Sequence, residues 1–288
     1  MRLRRRFADL PWGQAHYREG GEGGPAPLIL LHGGAANGAA LAPLAIALGA
    51  ARAVLVPDMP GCGESDALAN PQPEIADLAD ALIALLDALG IGCADIHGAH
   101  LGARIATEAA IRHPARVRRV VLDGVGFYDE EARQRMIAEV APVLMPDAEG
   151  RYLHEAFAMC RDYFLYFPWF ARDDAHRRDG AVASPAAIHA KLLEVLRNGA
   201  TYPRPYHAAL RYRMEDRLPL LRTPALLAFA RTDNVFAQRH RAAALLPEAT
   251  SVETPGTATP DALAETAAII ASFLDAPPAT ALPYPPQA

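Results

Sequence analysis

The stretch Ile96-His97-Gly98-Ala99-His100-Leu101-Gly102 decides how this chain folds. It ends a short apolar run, residues 94–97, and it precedes the Ala- and Gly-rich stretch 101–112, which stops ahead of Pro114. This pattern predicts a strand that turns sharply into a helix. The two glycines that flank His100 let the backbones of strand and helix approach at a strained turn. We therefore expect His100 to be held exposed at the N-terminus of the helix.

Three more stretches combine an apolar run with turn residues. They are Leu28-Ile-Leu-Leu-His32-Gly33-Gly34, Val54-Leu-Val-Pro-Asp58-Met-Pro-Gly61-Cys-Gly63-Glu-Ser65-Asp66, and Ala225-Leu-Leu-Ala-Phe-Ala-Arg-Thr-Asp233. In this order, and with G-x-H-x-G between the second and third, the motifs resemble those of the α/β-hydrolase fold family over residues 2–274. That family has an H-G-x loop, a D-x-P-G-x-G-x-S-D turn, a G-x-S-x-G nucleophile elbow and a G-x-x-D turn. Ala230 replaces the glycine of the last motif.

The order of the elements predicts an α/β fold whose mostly parallel sheet is covered by helices on both faces. Strands and helices alternate up to Asp123 and again from Pro224, whereas residues 130–140, 149–164 and 185–197 have helical patterns only. The resemblance implies that this middle region is a helical cap inserted over the active site. We expect an α/β-hydrolase core at 1–128 and 216–275, a cap at 129–215 and a Pro-rich tail at 276–288.

The sequence departs from the family at two catalytic positions. His100 stands where the family has its serine nucleophile, and residues 254–263, which should carry the general base, contain no histidine, since the last one is His240. The resemblance implies that Asp233 is the catalytic acid, with Asp123 as the second choice. It also implies an oxyanion hole formed by the backbone N–H groups of Gly34 and Leu101. The loop that usually ends in G-H makes Thr259 the best guess for the vacant base position.

Three roles are open to His100: a general base, a nucleophile that forms an acyl-imidazole, or an inert remnant. Its ring is longer than a serine side chain and would extend toward Asp233, which could fix the tautomer. The helix N-terminus lowers the pKa of such a ring and a paired carboxylate raises it, so we expect a pKa near neutrality.

We therefore expect an enzyme that acts on a small apolar carbonyl compound, hydrolysing an ester, a lactone or a C–C bond through activated water. The alternatives are a lyase, decarboxylase or cyclase that proceeds through an enolate, and a ligand-binding relative without catalysis.

The remaining histidines and the aromatic cluster have simpler interpretations. His32 resembles the family's structural histidine, and we expect His97 to point away from His100. The other histidines have no metal-ligand spacing and are expected at the surface or in packing. The aromatic residues of the segment 163–170 either pack the cap or line an apolar substrate pocket, and the two roles are compatible.

Composition limits the possible partners. The chain has 288 residues, a formal net charge of −5 and no basic excess, which argues against nucleic-acid binding. No apolar run is long enough to cross a bilayer, and no secretory signal is recognised, so we expect a cytoplasmic protein. Cys62, Cys93 and Cys160 form no C-x-x-C pair, which argues against a disulfide framework or a zinc site. We expect a small-molecule substrate, no cofactor and no metal, and a homodimer stays open.

Overall fold

An eight-stranded sheet forms the centre of the structure, a computed structural model that describes residues 1–178 and 183–277. The strands are β1 (Arg4–Leu10), β2 (Gly13–Gly20), β3 (Leu28–Leu31), β4 (Val54–Pro57), β5 (Ala94–Ala99), β6 (Val117–Asp123), β7 (Ala225–Ala230) and β8 (Thr250–Thr254). Their order across the sheet is β1-β2-β4-β3-β5-β6-β7-β8. β2 runs antiparallel to β1 and β4, and β3 to β8 are parallel to one another.

Helices cover both faces of this sheet, and further helices lie between β6 and β7. They are α1 (Ala42–Leu48), α2 (Ile75–Ala88), α3 (Leu101–Arg112), α4 (Glu130–Glu139), α5 (Arg151–Tyr163), α6 (Pro185–Arg197), α7 (Pro203–Arg211), α8 (Met214–Arg217), α9 (Arg239–Leu245) and α10 (Pro260–Asp275). One apolar cluster packs α2 and α3 on the sheet, and a second packs α1 and α10 on it. The predicted mostly parallel, doubly covered α/β fold is therefore confirmed.

Two of the helices that the sequence patterns did not predict have a physical explanation. α1 is seven residues long with a proline in its first turn, so it offers little periodicity. α7 begins with Pro203 and contains Pro205, a pair that usually indicates a loop, although the first turn of a helix tolerates proline because its N–H groups need no intrahelical partner.

The region between β6 and β7 contains α4 to α7, and these helices share an apolar cluster of their own. Its buried members include Met136, Val140, Met159 and Val195. The division into a core and a cap at 129–215 stays a prediction. Of the tail predicted at 276–288, only Ala276 and Pro277 lie within the described residues, and their carbonyls accept hydrogen bonds from Arg119.

The turn between β5 and α3 depends on two glycines. A Cβ on Gly98 would overlap the carbonyl group of Gly102, and a Cβ on Gly102 would overlap the carbonyl group of Leu31 in β3. In both cases the obstacle is backbone, which cannot rotate away as a side chain can. The missing side chains therefore allow the helix to begin directly against the end of the sheet.

We expect Gly98→Ala to destabilise the protein by about 2–3 kcal/mol, because the added methyl group must displace the first turn of α3. Gly92→Ala is the matched control, since a Cβ there meets no atom within 4 Å; its effect should stay within about 0.5 kcal/mol. Urea unfolding followed by circular dichroism measures both changes. Equal midpoints for the two variants would contradict this account of the turn.

Candidate active site

His100 is held in a strained backbone conformation between β5 and α3. Its φ and ψ are 51° and −99°, a conformation that L-residues rarely adopt and that costs of order 1–3 kcal/mol. Its N–H donates to the carbonyl of Asp123 over 2.9 Å. The imidazole lies against the backbone of Gly124, where a Cβ would come within 2.7 Å of its Cε1 atom. The neighbouring loops therefore fix the direction of the ring.

The structure brings His100 and Asp233 together. Nε2 of His100 lies 2.9 Å from Oδ2 of Asp233, which follows β7. The other carboxylate oxygen, Oδ1, accepts a hydrogen bond from the N–H of Val235 over 2.9 Å. The carboxylate is therefore held from both sides, and it leaves Nδ1 as the imidazole nitrogen without a carboxylate partner.

The charge of Asp233 decides the direction of the pKa shift of His100. Removal from water lowers the pKa of the imidazole, but the hydrogen bond and the charge of Asp233, helped by Asp123, outweigh this and raise the pKa above its ordinary value. Burial raises the pKa of Asp233, and the contact with His100 more than reverses that, so its pKa lies below the ordinary value. The opposed effects expected from the sequence are present, and the carboxylate is the stronger.

Asp123, the second choice for the acid, is positioned differently. Its Oδ2 lies 3.5 Å from Nε2 of His97, a fully buried side chain on β5. Asp123 also lines a cavity beside His100, and its charge raises the pKa of that residue. The 2.9 Å distance to Nε2 of His100 thus favours Asp233, and Asp123 acts on the ring from a greater distance.

Two cavities meet at His100. The larger one, of about 420 Å³, is bounded by the predicted oxyanion residues Gly34 and Leu101 and by side chains from the 128–210 region. The smaller one, of about 270 Å³, is bounded by Asp123, Asp233 and the loop after β8. The Leu101 N–H belongs to the first turn of α3, where amides have no intrahelical acceptor.

The loop after β8 corrects the guess for the vacant base position. Thr259 is exposed, and its Oγ1 accepts a hydrogen bond from the N–H of Ala262 over 3.2 Å as the N-cap of α10. Thr257 and Ala258 line the smaller cavity instead, and Thr257 reaches the larger one as well. The prediction of Thr259 was wrong because a threonine ahead of Pro-Asp is an N-cap, and the capping bond turns it away from the site.

Two contacts that the sequence patterns did not predict shape the H-G-x loop. The ring of Tyr206, on α7, occupies the position that a Gly34 side chain would need. Lys191, on α6, donates to the carbonyl of Ala35, whose φ of 50° is also strained, and lies 3.3 Å from Glu194. No sequence signal indicates either contact, because both join residues more than 150 positions apart in the chain.

The aromatic residues of the segment 163–170 lie in two kinds of surroundings. Tyr163 and Phe167 line the larger cavity. Trp169 and Phe170 pack against the cluster shared by α4 to α7, and the indole N–H of Trp169 donates to the carbonyl of Val140 over 2.8 Å. One short segment therefore stabilises the region between β6 and β7 and supplies part of the cavity wall.

Two other histidines are buried and hydrogen-bonded. His32 follows β3, with Nδ1 2.8 Å from the carbonyl of Gly33, and its Nε2 accepts from the N–H of Met59 over 3.0 Å. His16 lies 2.8 Å from the carboxylate of Asp58.

Within residues 1–178 and 183–277, no three His, Cys, Asp or Glu side chains are grouped so that they could hold a metal ion. Over the same residues, no helix is both long and apolar enough to cross a membrane.

Comparison with known proteins agrees with the α/β-hydrolase fold. Residues 26–258 match the model of a family described as alpha/beta hydrolase fold. A segment of 109 residues is 42% identical to a 2-hydroxymuconate semialdehyde hydrolase of Pseudomonas putida, covering 36% of this chain and 37% of that protein. A segment of 124 residues is 35% identical to an (E)-2-((N-methylformamido)methylene)succinate hydrolase of Acinetobacter baylyi, covering 43% and 46%. The matches thus span less than half the length of these two relatives.

Solved structures are similar over nearly the whole chain. An enol-lactonase from Burkholderia xenovorans LB400 superposes with a TM-score of 0.72 and 20% identity, over 93% of this chain and 99% of that one. An E-2-(acetamidomethylene)succinate hydrolase superposes with a TM-score of 0.70 and 24% identity, over 96% and 100%. At these identities the likeness concerns the fold.

We expect Asp233→Asn to lower the pKa of His100, because the neutral amide removes the charge that outweighs burial. The wild-type imidazolium should then persist to higher pH than that of the variant. A titration of the ¹³Cε1 histidine signals by NMR measures the change. Asp80→Asn, which removes the exposed partner of His113, is the control and should leave His100 unchanged. An unaltered His100 titration in Asp233→Asn would contradict the pairing.

Proposed function

The chain belongs to the α/β-hydrolase fold family, and we propose that it is an enzyme in which His100, oriented by Asp233, acts as a general base. The observation that carries this proposal is the 2.9 Å contact between Nε2 of His100 and Oδ2 of Asp233 at a strained turn beside two cavities. Strain of this kind persists where the surrounding structure fixes it, and it is common at active sites.

The proposed reaction begins with a proton transfer. Nε2–H of the neutral imidazole donates to Asp233, so the lone pair on Nδ1 is free to take a proton from water. The resulting hydroxide attacks the substrate carbonyl, and the imidazolium then returns the proton to the leaving group. Asp233 stabilises the imidazolium in this scheme, as the acid does in a catalytic triad. Because the pKa of His100 is raised, kcat/KM should rise with pH above the ordinary histidine pKa.

The oxyanion hole in this scheme consists of backbone donors. Gly34, on the loop after β3, and Leu101, at the start of α3, both line the larger cavity together with His100, and this supports their N–H groups as the donors. A donor of this kind contributes about 3–4 kcal/mol to a developing oxyanion. Backbone groups survive the replacement of serine by histidine, so the change at position 100 leaves this part of the site available.

The substrate in this proposal is a small carbonyl compound held under residues 129–215, which we propose to act as a cap. Tyr163, Phe167 and Tyr206 come from that segment and line the larger cavity. The two curated relatives are hydrolases named for a semialdehyde and for a formamido compound, both of which contain a carbonyl group. These names support the substrate class and leave the bond that is broken open to experiment.

Isotope labelling discriminates hydrolysis from the enolate chemistry of a lyase, decarboxylase or cyclase. Hydrolysis in H₂¹⁸O places one ¹⁸O atom in the acid product, whereas a decarboxylation or an elimination does not. Intact-mass measurement during turnover tests the nucleophilic role, since an acyl-imidazole would add the acyl mass to the protein. A stoichiometric adduct on His100 would replace the general-base role with a covalent one.

We expect His100→Ala to reduce kcat/KM by about 10²–10⁴-fold, the usual contribution of a general base. The assay would use a panel of aryl esters, lactones and β-diketones, with product analysis by mass spectrometry. His154→Ala, at an exposed histidine on α5, is the control and should keep wild-type activity. Near-wild-type activity in His100→Ala, or no turnover of any panel compound by the wild type, would refute the proposal.

Restoring a triad offers an independent test. We expect His100→Ser combined with Thr257→His to produce weak esterase activity on an activated aryl ester, exceeding that of either single variant. The activity should be low because a placement error of about 1 Å can cost roughly 100-fold. The control pairs His100→Ser with Thr259→His, which puts the imidazole at the exposed helix cap. Equal activity of the two double variants would argue against Thr257 as the vacant base position.

A further inference from the structure

Arg104 is a buried cation without a carboxylate partner. It lies on α3, one turn after His100, and only 6% of its surface is exposed. Its Nη1 donates to the carbonyl of His100 over 3.2 Å and its Nη2 to the carbonyl of Gly126 over 3.0 Å. Its Nε has no hydrogen-bond partner, and no carboxylate of residues 1–178 and 183–277 forms an ion pair with it.

Such a charge is costly to bury without an anion. Of the three other buried arginines among the described residues, two have one: Arg52 lies 2.7 Å from Asp275, and Arg133 lies 3.0 Å from Glu215. The third, Arg119, donates to carbonyls at the C-terminal end of α10, which carries a partial negative charge. An arginine stays protonated in proteins, so burial does not relieve the cost by neutralising Arg104. The fold therefore maintains an uncompensated positive charge at this position.

The groups around Arg104 leave that charge uncompensated. The nearby phenols of Tyr128 and Tyr206 remain neutral at physiological pH, because burial raises the pKa of each. Two further basic side chains in the wall of the larger cavity have carboxylate partners: Lys191 lies 3.3 Å from Glu194, and His100 lies 2.9 Å from Asp233. Arg104 is therefore the cation of this wall that has no carboxylate partner among the described residues.

Arg104 belongs to the wall of the same cavity as His100. The guanidinium has five N–H donors, and two hydrogen bonds to protein carbonyls leave others available. One helical turn separates the two residues, a rise of about 5.4 Å. A ligand that touches both side chains would therefore have its anionic group only a few bonds from its reacting carbonyl.

This inference rests on the proposed function and makes its substrate class more specific. We propose that Arg104 binds a carboxylate of the substrate, so that the enzyme acts on carbonyl compounds that carry a nearby carboxylate. A charge-assisted hydrogen bond is stronger than a neutral one, and the guanidinium matches the shape of a carboxylate. Binding the acid supplies the anion that the buried arginine lacks.

The competing interpretation is purely structural. In that view Arg104 connects the carbonyls of His100 and Gly126 and never contacts a ligand. A structural role predicts the same affinity for an acid and for its neutral analogue, because neither would touch the guanidinium. The two interpretations therefore differ in a binding measurement that requires no turnover.

The experiment compares benzoate with benzamide, a pair of similar shape that differs in charge, by titration calorimetry at pH 7.5 and low salt. We expect the wild type to bind benzoate at least about tenfold more tightly. Arg104→Met should abolish this preference, and Arg104→Lys should retain part of it. Arg112→Met, on the same helix but in an exposed pair with Asp80, should behave as the wild type. Equal affinities in the wild type, an undiminished preference in Arg104→Met, or no binding of benzoate at millimolar concentration would overturn the proposal.

The same titrations in His100→Ala protein separate this inference from the proposed function. A benzoate preference that survives in a chain without catalytic activity supports the Arg104 site whatever the reaction is. Turnover without any preference for acids would refute the site and leave the general-base proposal intact. If Arg104→Met fails to fold, equal affinities in the wild type would still overturn the proposal, and a preference that persists in His100→Ala protein would exclude His100 as its source.

Discussion

The strained turn at His100 is the constraint on which the rest of this site depends. A residue with φ of 51° and ψ of −99° stays in place because the sheet end and the first turn of α3 close around it. Gly98 and Gly102 allow that closure, and Gly124 leaves room for the ring itself. The same turn positions the N–H of Leu101 and the carbonyl that Arg104 contacts. A single backbone geometry therefore orients the imidazole, one proposed oxyanion donor and a buried cation.

Charge balance explains how an imidazole can occupy a position that other members of the family give to a serine. An isolated ring beside a helix N-terminus would be disfavoured as a cation. Asp233 reverses this, since its contact raises the pKa of His100 while its own pKa falls. The turn after β7 carries Asp233, and it therefore supplies the carboxylate that a histidine at position 100 needs as a partner. The proposed base and its orienting acid arise from two residues where a triad uses three.

The region between β6 and β7 supplies part of the wall of the larger cavity at His100. Its helices have their own apolar cluster, so they form a wall that does not depend on the sheet for all of its packing. Tyr206 packs on Gly34, and Lys191 donates to the carbonyl of Ala35, so this region also presses on the loop after β3. The lining of the cavity consequently includes aromatic residues from this region and residues of the turns after β3 and β5. Arg104 adds the charge that we propose as the determinant of substrate class.

The sequence by itself determined the elements whose signals are local. Apolar runs followed by glycine-rich turns predicted the parallel strands, and the G-x-H-x-G spacing predicted the sharp turn at His100. The G-x-x-D resemblance predicted Asp233, which the structure brings to His100. Helix α7 was not predicted because two prolines in one short stretch usually indicate a loop. Thr259 was wrongly predicted as the base position because threonine is common both at helix N-caps and in loops.

Only the tertiary structure decided the properties that depend on residues far apart in the chain. The direction of the pKa shift of His100 depends on the balance between burial and two carboxylates from different strand ends. The missing partner of Arg104 can be recognised only when all of its neighbours are in place. Sequence patterns report local propensity and periodicity, whereas electrostatic balance and cavity shape are sums over contacts that folding alone creates.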